Sequence, residues 1–159
     1  MAEALVYPVT LTPAQKKEAA SQLAAARKKA QEKMNDKNKL ALQLLQLKFQ
    51  VQDYIESKKY DIEKHFGYFL KQYIEILELK RKAFAEDISI DETMLSQLIN
   101  MHRTPPDYIS IRLELHSNNI IPADYWFKLI EKQKEHKIKT DQTLRDKEKK
   151  FVHKTAIGL

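Results

Sequence analysis

Apolar and polar positions along most of this chain recur with the period of amphipathic helices, interrupted by short polar breaks. From Pro13 to about Met34 most residues are Ala, Lys, Gln or Glu, all of which favour helices. Thr12 precedes Pro13 and Gln15, an order that predicts a capping box with proline in the first helical turn. Leu23 is the only large apolar side chain of this segment, so the helix has little surface with which to pack.

Polar residues Asn35 to Asn38 then interrupt the pattern, either as a tight turn between two helices or as a polar patch within one helix. The next stretch has apolar residues at the spacing of coiled-coil a and d positions: Leu40, Leu44, Leu47, Val51 and Tyr54. Two heptads are short for a free-standing coiled coil. We expect the stripe to pack on its own domain or in a seam between two subunits, and we favour the seam because the following domain has a full set of helices.

From Asp61 onward the apolar positions form one broad helical face: Phe66, Phe69, Leu70, Tyr73, Ile74, Ile76 and Leu77. Breaks divide the remaining helices at Ser89-Ile90-Asp91, Arg103 to Pro106, and Ser117 to Pro122. The last helix is expected from Ala123 to about Lys137, and the polar sequence after Lys139 predicts frayed helix or disorder. We therefore predict an all-α protein with an N-terminal coiled-coil-like helical arm (1–60), a five-helix domain (61–137) and a basic, flexible tail (138–159).

Composition argues against several classes of protein. Gly67 and Gly158 are the only glycines in 159 residues, too few for Gly-rich phosphate loops, Rossmann turns or hairpin-rich sheets. The chain has no cysteine, its five histidines lack ligand spacing, and no catalytic arrangement of side chains stands out. We therefore expect no metal, no cofactor and no enzymatic activity. Without a signal sequence or an apolar run of ~18–20 residues, we expect a cytoplasmic protein with no membrane partner.

The net charge of +6 is concentrated at the two ends of the chain. Residues 1–67 carry 12 Lys and Arg against 8 Asp and Glu, and residues 137–159 carry 7 against 3, which gives +4 in each segment. Residues 68–136 carry 9 against 11, or −2. A polyanion would be attracted chiefly by the ends, although lysines of this kind also simply solubilise exposed helices.

The segment from Lys82 to Asn100 has the spacing of a short helix, a three-residue turn and a second helix. Ala85 lies four residues before the turn at Ser89, where a small residue lets two helices approach closely. Asp91 is suited to cap the second helix. Five apolar positions are expected to hold the pair together: Phe84, Ile88, Ile90, Leu95 and Leu98.

In these residues the chain resembles the Cro/phage-repressor (XRE) helix-turn-helix family, and within it the HigA-type antitoxins of bacteria. The likeness runs from about Phe66 to Glu135 and rests on four stretches in the family's order: Phe84 to Ile88, Leu95 to Asn100, Ile111 to Glu114, and Ile121 to Leu129. This chain has Ser89 where the family usually has a turn glycine, and Asn100-Met101 where the family usually has Asn-Gly. The resemblance implies a five-helix repressor-like domain and does not extend to residues 1–60.

The resemblance also implies that the second helix enters the major groove of double-stranded DNA. Leu95, Leu98 and Ile99 then point inward, and the outward positions are Glu92, Thr93, Ser96, Gln97 and Asn100. Gln97 is suited to a bidentate contact with adenine, and Thr93 to a thymine methyl group. Four basic residues near the ends of the helix pair are expected to meet phosphates: Arg81, Lys82, His102 and Arg103.

We therefore predict a sequence-specific DNA-binding transcriptional regulator that acts as a homodimer on a palindrome. The resemblance to the antitoxin branch suggests an antitoxin-type repressor that also neutralises a cognate toxin protein. The alternative is a non-enzymatic protein-interaction module whose helix-turn-helix and helical arm bind a protein partner. Trp126, flanked by Tyr125 and Phe127, is expected in the core and not in base stacking.

Overall fold

The computed structural model describes residues 10–33 and 35–158, and all the regular secondary structure in those ranges is α-helix. The helices of this part of the chain are α1 (Pro13–Lys33), α2 (Asp36–Glu56), α3 (Phe66–Ile76), α4 (Arg81–Asp87), α5 (Glu92–Ile99), α6 (Asp107–His116), α7 (Ala123–Thr140) and α8 (Gln142–Lys149). The predicted all-α class is confirmed at this level. The chain divides into two compact units, Met1–Lys39 and Leu40–Leu159.

The start of α1 has the capping box that the sequence predicts. The Thr12 backbone N–H donates to Gln15 Oε1 at 3.0 Å, and the Gln15 N–H donates to Thr12 Oγ1 at 3.3 Å. These two reciprocal bonds satisfy amides that have no partner within the helix. Every residue from Thr10 to Glu32 is exposed, as expected of a helix whose only large apolar side chain is Leu23.

The polar stretch after α1 is a break between two helices and not a patch within one. Helix α1 ends at Lys33 and α2 begins at Asp36. The Asn38 N–H donates to Asn35 Oδ1 at 2.9 Å, so the Asn35 side chain caps α2.

Helix α2 corrects one prediction. Its stripe is buried within the second unit of the same chain, with Leu44, Leu47, Val51 and Tyr54 at most 8% exposed. The predicted subunit seam along this stripe is therefore wrong. The heptad pattern indicates that this face is buried. It does not tell whether the burying surface belongs to the same chain or to a second subunit.

Lys132 of α7 stabilises the C-terminal end of α2 by hydrogen bonds. Its ammonium group donates to the carbonyl oxygens of Tyr54 and Ser57, the latter at 2.6 Å, and lies 4.0 Å from the centre of the Tyr54 ring. Carbonyls at a helix end have no partner within the helix, so a cation there is favourable. Partial burial lowers the pKa of Lys132, because it disfavours the charged form.

Large aromatic side chains form the centre of the second unit. Trp126 is fully buried, and its ring meets Phe66 edge-on at 5.6 Å and Tyr73 at 5.8 Å between ring centres. Tyr73 in turn meets Phe84 at 5.9 Å. These edge-to-face contacts join α3, α4 and α7, and they confirm the expectation that Trp126 belongs to the core.

Gly67 marks a direct contact between two helix backbones. A Cβ atom built on Gly67 would lie 2.0 Å from the carbonyl oxygen of Ile99 and 2.8 Å from that of Leu98. The start of α3 therefore packs against the end of α5 with no room for a methyl group. This contact fixes the distance between α5 and the aromatic core.

The C-terminal segment has more helix than predicted. Helix α7 continues to Thr140 instead of about Lys137, and α8 (Gln142–Lys149) follows where frayed helix or disorder was expected. Asp141 caps α8 by accepting from the Leu144 N–H at 3.0 Å, and the Arg145 guanidinium donates to the carbonyl of Ile138 at 2.7 Å. Capping orders this turn, although its composition offers no apolar face to bury.

Candidate nucleic-acid interface

Two short helices, α4 and α5, meet at the turn Ile88 to Asp91. Asp91 caps α5 as predicted, with its Oδ1 accepting from the Met94 N–H at 2.6 Å. Phe84 and Ala85 are buried on α4, and Ile88 is buried at the turn. The small Ala85 side chain thus lies at a covered position, as the pattern predicts.

The turn uses a left-handed residue that is not glycine. Ser89 has φ of 54°, and the N–H groups of Ser89 and Ile90 donate back to the carbonyls of Glu86 and Ala85 at 3.1 and 2.9 Å. This pair of bonds is a Schellman motif. The motif normally has glycine at the left-handed position, because that conformation costs residues with a side chain ~1–2 kcal/mol.

The end of α5 repeats this arrangement. Met101 has φ of 56°, and the Met101 and His102 N–H groups donate to the carbonyls of Leu98 and Gln97 at 3.3 and 2.9 Å. Ser89 and Met101 are the two positions at which the resemblance places a family glycine. In both places the backbone has the conformation that glycine favours.

One face of α5 is buried and the other is not. Leu95 and Leu98 are fully buried, and Met94 and Ile99 are at most 8% exposed. The inward orientation predicted for Leu95, Leu98 and Ile99 is confirmed. Met94 is a further core residue that the sequence did not single out.

The predicted outward residues of α5 lie on the opposite face. Glu92, Thr93 and Asn100 are exposed, and Ser96 and Gln97 are half-buried. The Asn100 Nδ2 group donates to Ser96 Oγ at 3.3 Å, which holds these two side chains together at the end of the helix. The surface of α5 therefore presents hydroxyl and amide groups that can donate and accept hydrogen bonds, with the Glu92 carboxylate, an acceptor, at its start.

The four predicted basic residues are all exposed, but they lie in two separate places. Arg81 and Lys82 occupy the first turn of α4, and His102 and Arg103 follow α5. Within the described ranges, no ion pair engages any of them.

Arg112 of α6 is a residue of this region to which the sequence argument gave no role. Its Nη1 donates to the carbonyls of Ile88 and Ser89 at 3.0 and 3.3 Å, and its guanidinium stacks 4.5 Å from the centre of the Tyr108 ring. Arg112 therefore caps the end of α4 and holds the turn that orients α5. The available signal was an arginine flanked by the apolar residues Ile111 and Leu113.

A second set of contacts ties α3, α4 and α6 together. The Tyr73 hydroxyl is 2.7 Å from His116 Nδ1, and His116 Nε2 is 3.3 Å from Asp87 Oδ2. Burial, together with the Asp87 charge, raises the pKa of the Tyr73 hydroxyl above its ordinary value. The neutral hydroxyl and the histidine ring thus brace the last turn of α4.

A groove beside α7 is lined by four more lysines, and the charges of three of them, all but Lys58, are engaged within the chain. Lys128 pairs with Asp124 at 3.3 Å, and Lys139 pairs with Glu135 at 2.5 Å. Lys132, in the same groove, is bonded to the carbonyls at the end of α2. The groove therefore offers an anion less than its lysine content suggests.

Comparison with known proteins gave no match, whether to a protein-family model, to a curated protein or to a solved structure. In the described ranges, no three His, Asp or Glu side chains are grouped so that they could hold a metal ion. None of the helices described above has both the length and the apolar character needed to cross a membrane.

Proposed function

We propose that this chain is a sequence-specific DNA-binding transcriptional regulator in which α4 and α5 are a helix-turn-helix and α5 is the recognition helix. The observation that carries the proposal is the division of α5 into a buried apolar face and a polar outer face. A recognition helix must be fixed to its domain on one side and present hydrogen-bonding groups on the other. The Gly67 contact and the Arg112 bonds supply the fixed side.

The left-handed residues support the assignment to the Cro/phage-repressor type. Ser89 and Met101 have positive φ at the two positions where that family usually has glycine. In this chain the turn geometry depends on the hydrogen bonds of the backbone and of Arg112 instead of on glycine. The resemblance and the observed backbone therefore agree at the positions where the residue types differ.

In this function the outer face of α5 reads bases. Gln97 would accept from and donate to adenine, and Thr93, one turn earlier, would contact a thymine methyl group. The carboxylate of Glu92 repels phosphates, so its contact would be with a base, as an acceptor from a cytosine amine. The exposed residues at the two ends of the pair would hold the backbone in register: Arg81, Lys82, His102 and Arg103.

The proposed regulator acts without catalysis, as a cytoplasmic homodimer on a palindromic site. The likeness to HigA-type antitoxins extends the proposal to an antitoxin-type repressor with a cognate toxin as its protein partner.

A second candidate function is a protein-interaction module with the same fold. The observation in its favour is an apolar stripe on α6, in which Tyr108, Ile111 and Leu115 are 42%, 53% and 64% exposed. Exposed apolar groups at this spacing are typical of a helix face that binds another protein.

Selection of binding sites from random duplex DNA, followed by salt titration, distinguishes the two candidates. We expect enrichment of one palindromic sequence and affinity that falls steeply with salt. The double variant Thr93→Ala with Gln97→Ala should lose about 1–3 kcal/mol of binding free energy per base contact on the selected site. On random DNA it should lose almost none.

A matched control changes the same residue types elsewhere, as Thr143→Ala with Gln43→Ala, both exposed and outside α5. Equal losses on selected and random DNA, or no enriched sequence at all, would remove α5 as the reader. The protein-interaction module would then become the better candidate.

A further inference from the structure

Helix α2 carries a second apolar stripe, on the side opposite its buried one. Leu42, Leu45 and Phe49 are spaced three and four residues apart and are 47%, 37% and 51% exposed. We call these three residues the outer α2 stripe. In a heptad they occupy a, d and a positions, the spacing at which two helices pack side by side.

The charges beside the outer α2 stripe specify how a second copy would fit. With Leu42 and Phe49 at a positions, Lys48 falls at g and Asp53 at the following e. In a parallel pair of helices a g residue faces the e residue five positions later in the partner, so Lys48 of each copy meets Asp53 of the other. An antiparallel pair would instead place like flanks together.

The helix is already ordered before any pairing. Leu44, Leu47 and Val51 anchor α2 in the core of its own unit, and Lys132 fastens its C-terminal end. A free pair of two heptads is unstable because each helix must form as the pair does. In this chain the conformational entropy of helix formation is already lost when the chain folds, so the pairing of a short stripe does not carry that cost.

The exposed stripe of α6 also has charges beside it. With Tyr108 and Leu115 at a positions, Asp107 and Glu114 fall at g and Arg112 at the e position between them. Arg112 is bonded to the turn before α5, and Glu114 Oε2 accepts from the Ala123 N–H at 2.6 Å. Arg112 and Glu114 are therefore held by hydrogen bonds within the chain. No ion pair in the described ranges includes Lys48 or Asp53, and the Lys48 ammonium group lies 5.8 Å from the centre of the Tyr125 ring, a weaker contact than a hydrogen bond.

We propose that two copies of this chain pair in parallel through the outer α2 stripe. The pairing rests on the proposed function for the expectation of a dimer, but its test uses no DNA. Failure of the pairing and failure of DNA recognition are therefore separate results.

Sedimentation equilibrium of the full chain tests which face pairs. We expect a reversible dimer that Leu45→Lys weakens by about 30-fold or more, as loss of a central interface residue does. Leu45 is partly exposed, and circular dichroism checks that the variant folds. Ile111→Lys on α6 is the matched control and should leave the dimer intact. A monomeric wild-type chain, or a dimer that only the Ile111 variant weakens, overturns the proposal.

Introduced cysteines test the parallel direction, since the wild-type chain has none. Single variants Leu42→Cys, Leu45→Cys and Phe49→Cys should each form a disulfide with its own counterpart under mild oxidation, because parallel helices keep identical residues opposite each other. Crosslinking at only one of the three positions means antiparallel packing and contradicts the proposal. Lys48→Asp should weaken the dimer several-fold, and adding Asp53→Lys should restore it; no restoration contradicts the assigned pair.

Discussion

Helices α1 and α2 have the same length, 21 residues each, and opposite relations to the core of the protein. The described part of α1 is exposed throughout, whereas α2 buries a full stripe of large side chains. Both have good helix formers and a side-chain cap at the start. The difference lies in side-chain size, since alanines bury little area and leucines bury much. Helix formation and membership of the core are thus specified by different residues.

The largest expected effect comes from the contact of the Gly67 backbone with the end of α5. Gly67→Ala should reduce the free energy of unfolding by about 3 kcal/mol or more, because α3 and α5 must separate to admit the methyl group. Ser21→Thr also adds one methyl group, but on the exposed surface of α1, and should change stability by less than about 0.5 kcal/mol. Chemical denaturation of both variants measures the contrast. A Gly67→Ala protein as stable as wild type would show that the two backbones do not meet.

A leucine-to-alanine substitution in each helix compares α1 and α2 directly. Leu47→Ala should cost about 2–5 kcal/mol, since it leaves a cavity in the core. Leu23→Ala, at a residue that is 53% exposed, should stay below about 0.5 kcal/mol. Equal effects of the two variants on the midpoint of denaturation would mean that α1 is covered by a partner in solution, and would end the contrast between the helices.

The smallest expected effect concerns the caps. Asp91→Ala should cost about 1 kcal/mol of global stability, because α5 is part of the packed unit. Thr12→Ala removes an equivalent cap from α1, and we expect it to reduce helical signal and amide protection near the start of α1 while the unfolding midpoint stays unchanged. A shift of the midpoint by the Thr12 variant would indicate that α1 folds cooperatively with the second unit.

Local chemistry was the part of this structure that the sequence predicted well. The capping box at Thr12, the cap at Asp91 and the inward face of α5 depend on residues within a few positions of each other. The prediction for the α2 stripe named the wrong packing partner, because periodicity identifies a face that must be buried but not the surface that packs against it.

The contacts that could not be predicted from the sequence join residues that lie far apart in the chain. Arg112 reaches a turn more than twenty residues away, and Lys132 reaches the end of α2, so neither role follows from neighbouring residues. Helix α8 was not assigned as a separate helix for another reason, since its polar sequence buries little and its start is held by the bonds of Asp141 and Arg145. The predicted contacts with bases stay predictions.

The left-handed residues at the ends of α3, α4, α5 and α6 have a consequence for the unfolded chain. Glu78, Ser89, Met101 and Asn118 each adopt a φ of 54–56°, a conformation that costs most residues with a side chain ~1–2 kcal/mol and asparagine less. Glycine would remove that strain, but it would also give the unfolded chain more conformations and so lower stability by ~0.4–1 kcal/mol at each position. The second effect offsets part of the first. A chain with only two glycines can therefore turn sharply at these four helix ends with a smaller net loss of stability than the strain alone would cause, and it gains a narrower unfolded ensemble from which to fold.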